Sequence, residues 1–514
     1  MTETAIALET KTSHRGMLTF SLMVATVMQV LDTTIANVAL PHMQGSLGAT
    51  QDQITWVLTC YILSSAITMP LTNVLCNRWG QKRIFLISVF GFTISSMLCG
   101  IADSLNSMVV YRFLQGIFGA SFIPLSQTIL LDIYPKEKHG SALALWGMGI
   151  MIGPILGPIL GGYLTDTYDW RWVFYINVPV GVVAFIGLYF FLKESPIQKN
   201  KPFDIKGFIL LALFLSFLQI FLDRGEQLDW FESLEIRTEA IICCLSFYFF
   251  IAHSSTTNTP FFSLKLFKDR NFLISLMLGL GLGVILQSTL ALTPSLLQDL
   301  MNYPVLTAGL VTAPRGVGTL AAMMVAGKLI GKVDAKIWLS LGLSMTAYSL
   351  YMTTNCSPLM DYWLIINSGL LLGFGLGVLF VSLTALAFST LSATLRPEAT
   401  GLYNLTRNIG GSIGISIMES FLARSSQRNH AYLTEFVTPY NKRLTSTSLS
   451  PGLDINQPTG LAQWDLEITQ QGTYIAYLNS FKLLMFTALF LLVIVGFIRN
   501  KGPKAEKPSE IGEI

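Results

Sequence analysis

The feature that most constrains this chain is a succession of long apolar blocks, several of 18 or more residues. Hydrocarbon leaves a spanning backbone only two solutions, the helix and the closed barrel, because no water is there to satisfy its N–H and C=O groups. About 20 apolar residues at 1.5 Å each carry a helix across a ~30 Å core. Fourteen such segments lie near 17–40, 53–76, 83–102, 107–131, 140–165, 172–193, 207–223, 236–253, 272–298, 307–331, 336–354, 361–387, 399–424 and 474–498. Charged residues make up 12% of the chain, against about 25% in soluble proteins. The expectation is an all-α polytopic membrane protein. A net charge of +3 gives no reason to expect nucleic acid as a partner.

An even number of spans puts both termini on one side, and the positive-inside rule chooses the cytoplasm. Lys11, Arg15, Arg78, Lys82, Arg83, Lys193, Lys206, Lys265, Lys268, Arg270, Lys328, Lys336 and Arg499 then all fall inside. The long polar connection 425–473, rich in Ser, Thr, Asn and Gln, falls outside. Residues 1–16 are polar without an apolar core, so no cleavable signal peptide is expected. The six cysteines have no metal-site spacing and read as small buried residues; neither a metal nor another cofactor is expected.

The first and last six spans look like copies. "NVLCNRWGQK" (73–82) pairs with "GKLIGKVDAK" (327–336), "LQGIFGASFIPLS" (114–126) with "LLGFGLGVLFVSL" (371–383), and "GSALALWGMGIMIG" (140–153) with "GLYNLTRNIGGSIG" (401–414), in chain order. The chain therefore divides into a tail (1–16), a six-helix half (17–193), a two-helix insertion with its loops (194–271), a second half (272–498) and a second tail (499–514). Paired halves are the usual build of secondary transporters, with the binding site between them near the midplane.

A charge at the bilayer centre costs about 3 kcal/mol or more, so it faces the bundle interior and has a partner. Asp32, Arg112, Arg315 and Arg407 lie well inside predicted spans, and Glu419 nearer the outer end of its own. At 1.5 Å per residue Asp32 sits about 12 Å and Arg112 about 8 Å below the outer surface. The two can therefore face each other. A neighbouring Arg favours the ionised carboxylate and desolvation the neutral one, so small helix movements could switch Asp32, as a proton-coupled carrier requires. A static ion pair joining the two spans is the plain alternative. The repeat places Gly369 opposite Arg112 and Trp146 opposite Arg407. Asn37, Gln115, Arg315, Asn404, Arg407 and Asn408 are the candidate residues of a central substrate cavity, with helix packing the competing role for the two arginines.

Span five reads "GIMIGPILGPILGG" (149–162). Gly149, Gly153, Gly157 and Gly161 recur every four residues, a face that lets two membrane helices approach closely. Pro154 and Pro158 remove ladder hydrogen bonds. A tight, nearly charge-free seam of this kind would seal the centre against proton leak.

These motifs together resemble the major facilitator superfamily, in particular its fourteen-helix drug:proton antiporters. "LDTTIANVALP" (31–41) is similar to their first-span motif, and the resemblance implies that Asp32 binds the coupled proton. "YRFLQGIFGA" (111–120) is similar to the fourth-span motif, with Arg112 its key residue. The ladder, with Gly162 as its last member, resembles the antiporter signature. "LQIFLDRGEQLDWF" (218–231) and "YINVP" (175–179) point to EmrB-type exporters. For that group the resemblance implies an EmrA-like periplasmic adaptor and a TolC-like outer-membrane channel as partners, docked on 425–473 or on spans seven and eight, in the inner membrane of a Gram-negative bacterium. The gate loop between spans two and three departs from the family pattern G-x-x-x-D-R-x-G-R-K. Arg78, Gly80 and Lys82 match it, but Asn77 replaces the acid, so closure there would use modified bonds.

The expected function is proton-driven export of hydrophobic, weakly acidic toxic compounds. Proton-coupled uptake is the second reading, opposed by the glycine ladder. A membrane enzyme is the third, opposed by the absence of HxxxxD, HExxH or a paired His cluster. "GKLIGKV" (327–333) is one residue short of a phosphate loop and lacks the hydroxyl after its lysine.

Overall fold

The computed structural model describes residues 15–135, 138–194, 203–257, 259–329, 334–357, 361–391, 395–438, 440–441 and 457–498, and among these every regular element is a helix. The tails and the centre of the 425–473 connection lie outside the described residues. All fourteen predicted segments fall on helices. In the first half these are α1 (Arg15–Leu47), α2 (Trp56–Thr68) with α3 (Leu71–Trp79), α4 (Gln81–Gly100), α5 (Leu105–Gly119) with α6 (Phe122–Ile133), α7 (His139–Thr167) and α8 (Asn177–Phe191). The insertion is α9 (Ile205–Arg224) and α10 (Leu234–Thr256). The second half is α11 (Arg270–Ser295), α12 (Val305–Leu329), α13 (Ala335–Thr354), α14 (Trp363–Ser389), α15 (Arg396–Thr434) and α16 (Pro458–Val495).

Ten helical stretches are long and apolar enough to cross a bilayer, and α2 with α3, bent by 54° at their break, makes an eleventh. Pro70 stands at that break; it offers no N–H to the preceding turn. The remaining three segments, α10, α13 and α15, have the length, at 23, 20 and 39 residues. They are less apolar because α10 carries Glu235, Arg237 and Glu239, α13 is rich in hydroxyls, and α15 carries Arg407 and Glu419.

The packing repeats as the sequence does. In the first half α1 packs on α7, α2 and α4 on α5, and α8 on α1 and α4. In the second half α11 packs on α15, α12 and α13 on α14, and α16 on α11 and α13. Each pair has its counterpart in the other half, which chance likeness of Gly- and Leu-rich helices would not produce. The halves meet chiefly where α7 packs on α12 and α14, and where α6 packs on α15. The insertion lies to one side, with α9 against both α2 and α15.

Much of the predicted 425–473 connection is helical. α15 runs on to Thr434 and α16 begins at Pro458. At 1.5 Å per residue, 39 and 38 residues span about 57 Å each, nearly twice a ~30 Å core. Hydropathy marked only the buried parts, whereas the extensions are held by polar contacts. Ser426 Oγ and Thr473 Oγ1 lie 2.7 Å apart, Asn429 Nδ2 donates to Gly472 O at 3.0 Å, and His430 Nε2 meets Asp465 Oδ1 at 3.0 Å.

The glycine ladder is where α1 and α7 come closest. A Cβ on Gly153 would sit 2.8 Å from Val30 Cγ1 and 3.0 Å from the Leu31 amide nitrogen, and one on Gly157 would sit 2.1 Å from Thr34 Oγ1. Gly149 abuts Met23 and Gly161 abuts Val38. Both prolines are accommodated within one uninterrupted α-helix, and Thr34 Oγ1 donates to Gly153 O at 3.2 Å. Gly157→Val should force α1 from its seat and cost about 1–3 kcal/mol, read as a lowered melting temperature of the detergent-purified protein. An unchanged transition would show that this contact is not tight.

Candidate functional site

The Gly-facing residues of α1 (Val30, Thr34, Val38) recur every four positions. Asp32, two residues out of phase, is turned about 200° away from them by the 3.6-residue period. It points toward α5 and α8, where three donors meet it. Arg112 Nη1 donates to Asp32 Oδ2 at 2.7 Å, Gln115 Nε2 to Oδ1 at 2.8 Å, and Asn177 Nδ2 to Oδ1 at 2.7 Å. Asp32 is 1% exposed and Arg112 0%, so the pair is sealed from solvent in this conformation.

The donors are themselves oriented. Arg112 Nη1 also reaches Gln115 Oε1 at 2.8 Å, and its Nε donates to Val57 O at 3.1 Å. Its guanidinium carbon lies 4.6 Å from the Tyr61 ring centre and 5.6 Å from that of Phe174. Asn177 Nδ2 additionally donates to Ser96 Oγ at 3.0 Å, and Ser96 Oγ to Phe174 O at 2.8 Å. A carboxylate thus rests in a bidentate amide and guanidinium cradle built from α1, α5 and α8. Charge-assisted bonds of this kind are roughly twice as strong as neutral ones.

Sequence reasoning anticipated Asp32 facing Arg112. It placed Gln115 in the substrate cavity, but the structure places it inside the carboxylate cluster. It gave Asn177 no role, although the residue lies in "YINVP". A polar residue at the start of an apolar run was the available signal.

The second half answers the pair differently. The 257-residue offset that relates 114–126 to 371–383 sets Gly369 against Arg112, while α11 offers Gln287 and Ser288 opposite Asp32. The cation in that region is Arg315, supplied by α12, whose Nη2 donates to Thr289 Oγ1 at 2.8 Å. Arg407 on α15 stands with its guanidinium carbon 5.4 Å from the Phe380 ring centre. Among the described residues no carboxylate lies within ion-pair distance of either arginine, and Arg407 Nη1 is buried without a hydrogen-bond acceptor.

Of the other predicted cavity residues, Asn37 and Asn408 are exposed. Asn404 is fully buried and spans the seam, its Nδ2 donating to Gln127 Oε1 at 2.6 Å. Ser141 Oγ donates to Gly327 O at 2.8 Å across the same seam, and Trp146 meets Phe380 with ring centres 6.1 Å apart. These contacts clasp the halves toward the end that carries Arg15, the lysine- and arginine-rich end.

The gate-loop residues reach the end of the first half and the start of the insertion. Gly80 separates α3 from α4 at φ 88°, a left-handed position that suits glycine. Lys82 Nζ donates to Tyr189 O at 2.6 Å at the end of α8, and Arg78 lies 5.8 Å from the Phe203 ring centre, just before α9. Asn77 is half-buried on α3.

Two pseudo-equivalent six-helix halves, clasped at one end around buried polar groups, are a build that membrane transporters use. The chain belongs to the Major Facilitator Superfamily, whose family model matches residues 22–415, and it groups with the EmrB-type members. It is 37% identical over 485 residues to the Multidrug export protein EmrB of Escherichia coli (strain K12), covering 94% of each chain. It is 36% identical over 481 residues to the Fatty acid resistance protein FarB of Neisseria gonorrhoeae, covering 93% of this chain and 94% of that one. The fold is also that of the human organic anion transporter MFSD10 (TETRAN), with a TM-score of 0.59 at 14% identity over 92% of this chain and 99% of that one.

Removing one member of a buried ion pair strands the other and costs about 3–5 kcal/mol. Arg112→Leu should therefore destabilise the protein strongly, and adding Asp32→Asn should recover most of the loss. Thermal unfolding of the single and double variants in detergent checks this. Equal instability of the two would place the role of Arg112 in packing instead.

Proposed function

We propose that this chain is a proton-driven exporter of hydrophobic, weakly acidic toxic compounds. The observation that carries the reading is the division of charge. One half holds an acid, Asp32, at membrane depth paired with Arg112, and in the other half Arg315 and Arg407 have, among the described residues, no carboxylate within ion-pair distance. In this reading Asp32 is the proton-coupling group and Arg112 its counter-ion, with Gln115 and Asn177 holding the carboxylate. The outward-open state loads a proton on Asp32. Protonation weakens its hold on Arg112 and the two amides, which frees α1 to shift against α5 and α8, and the halves rock about the α7–α12 seam. The inward-open state releases the proton and takes up substrate.

The energetics suffice. A charge crossing 100 mV is worth about 2.3 kcal/mol, so a proton-motive force of roughly 150–200 mV supplies about 3.5–4.6 kcal/mol. At 1.4 kcal/mol per tenfold, this supports a gradient of roughly 300- to 2000-fold for a neutral compound exchanged one for one. Multidrug export and fatty-acid resistance are the roles named for the relatives. Both suit apolar cargo, and Arg315 and Arg407, which have no carboxylate partner among the described residues, favour acidic members of it.

The same reading puts both termini in the cytoplasm, following the Lys/Arg asymmetry, and the chain in a bacterial inner membrane. It gives the pump an EmrA-like adaptor and a TolC-like channel as partners. The projecting α15–α16 hairpin and the α9–α10 insertion are the surfaces offered to them.

In inverted vesicles carrying an imposed proton gradient, substrate should release stored protons through the unaltered protein. Asp32→Asn should abolish that release while leaving substrate–substrate counterflow. Proton release that survives the substitution would remove Asp32 from the coupling role; substrate-driven proton uptake would mean symport.

A further inference from the structure

Trp146 and Arg407 occupy the same position in the two copies of the repeat, 261 residues apart. In the structure both lie against one ring. Phe380 has its centre 6.1 Å from that of Trp146 and 5.4 Å from the Arg407 guanidinium carbon. The pseudo-twofold relation is thus broken chemically at the seam, with an indole on one side, a cation on the other and a phenyl ring between.

The three membrane-depth arginines differ in what they already hold. Arg112 is committed to Asp32, Gln115 and Val57 O, with its Nη2 alone lacking an acceptor. Arg315 is committed to Thr289, within its own half. Arg407 has its Nη1 buried with no acceptor, while the residue as a whole is only half-buried. A buried charged donor without an acceptor is costly, and the phenyl face of Phe380 neutralises it only in part. The group lacks an anion, and the residue is not fully closed off, while Phe380 beside it is buried between Trp146 and Arg407.

We infer that Arg407 is the specificity-determining residue of the substrate site: it takes the acidic group of a hydrophobic organic anion, a carboxylate, sulfonate or phenolate. This rests on the export reading above and adds to it a division of labour. The substrate's charge is read on α15 in the second half, and the proton is held on α1 in the first. The two do not compete for one group, so their exchange is coupled through the movement of the halves.

The test uses two probes of nearly the same shape. 8-Anilinonaphthalene-1-sulfonate carries a fixed negative charge, and N-phenyl-1-naphthylamine carries none. Binding of each to the full chain in nanodiscs is measured by titration calorimetry against empty discs. Arg407→Gln should weaken the sulfonate about tenfold or more, as loss of a charge-assisted bond implies, and change the neutral probe less than about twofold. Arg407→Lys, which keeps the charge, should retain most of the sulfonate affinity, and Arg315→Gln should lower it less than about threefold. Equal affinity of the unaltered protein for the two probes, or parallel losses of both in Arg407→Gln, overturns the assignment and makes Arg407 a packing residue. No proton gradient is present, so a failure here is separate from a failure of proton coupling, which the Asp32→Asn vesicle experiment reads on its own.

Discussion

A carboxylate in hydrocarbon is the condition to which the first half of this protein is built. An unpartnered charge at that depth is costly. Asp32 is retained because α5 presents Arg112 and Gln115, and α8 presents Asn177, to its two oxygens. Those three contacts fix the rotation of α1. That rotation in turn puts Val30, Thr34 and Val38 on the glycine ladder of α7. The ladder and the ion pair are therefore two sides of one helix, and displacing α1 disturbs both.

The second half keeps the packing plan and changes the chemistry. α11 carries no acid, and Arg315 reaches its Thr289 from α12 rather than from α14. Arg407 takes the place of Trp146. Duplicated halves give symmetry of shape, so that one rocking motion opens either end. Function then requires the symmetry to fail at a few positions, since a carrier with the same groups on both sides could not assign proton and cargo to different places.

The inserted pair of helices bears on the same motion. α9 is tied to α15 through Ser412 Oγ donating to Gln219 Oε1 at 2.8 Å and Ser416 Oγ donating to Leu222 O at 2.9 Å, with Trp230 Nε1 donating to Ser420 Oγ at 3.2 Å just beyond. Three serines four residues apart on one face make a polar ladder to the insertion, which also meets the first half along α2. At the far end the α15–α16 hairpin carries exposed Tyr432, Phe436 and Leu466 beyond the apolar span.

Much of this was present in the chain as written. Apolar block length fixed the number and character of the spans, because a helix is the one local structure that satisfies its own backbone in lipid. The repeat fixed the two-half plan, and depth counting brought Asp32 level with Arg112. What the linear order could not hold was rotation about each helix axis and contact between distant turns. Asn177 looked like one polar residue at the head of an apolar run until α8 turned it toward Asp32. Gln115 and Asn404 looked like cavity residues, yet one braces the ion pair and the other clasps the seam to Gln127. The extended hairpin escaped hydropathy because its outer turns are held by side-chain pairs, a term that no single segment reveals. Sequence determined which groups must be buried in the membrane; tertiary structure decided which of them meet, because partners for a buried charge are chosen by packing across helices that lie tens to hundreds of residues apart.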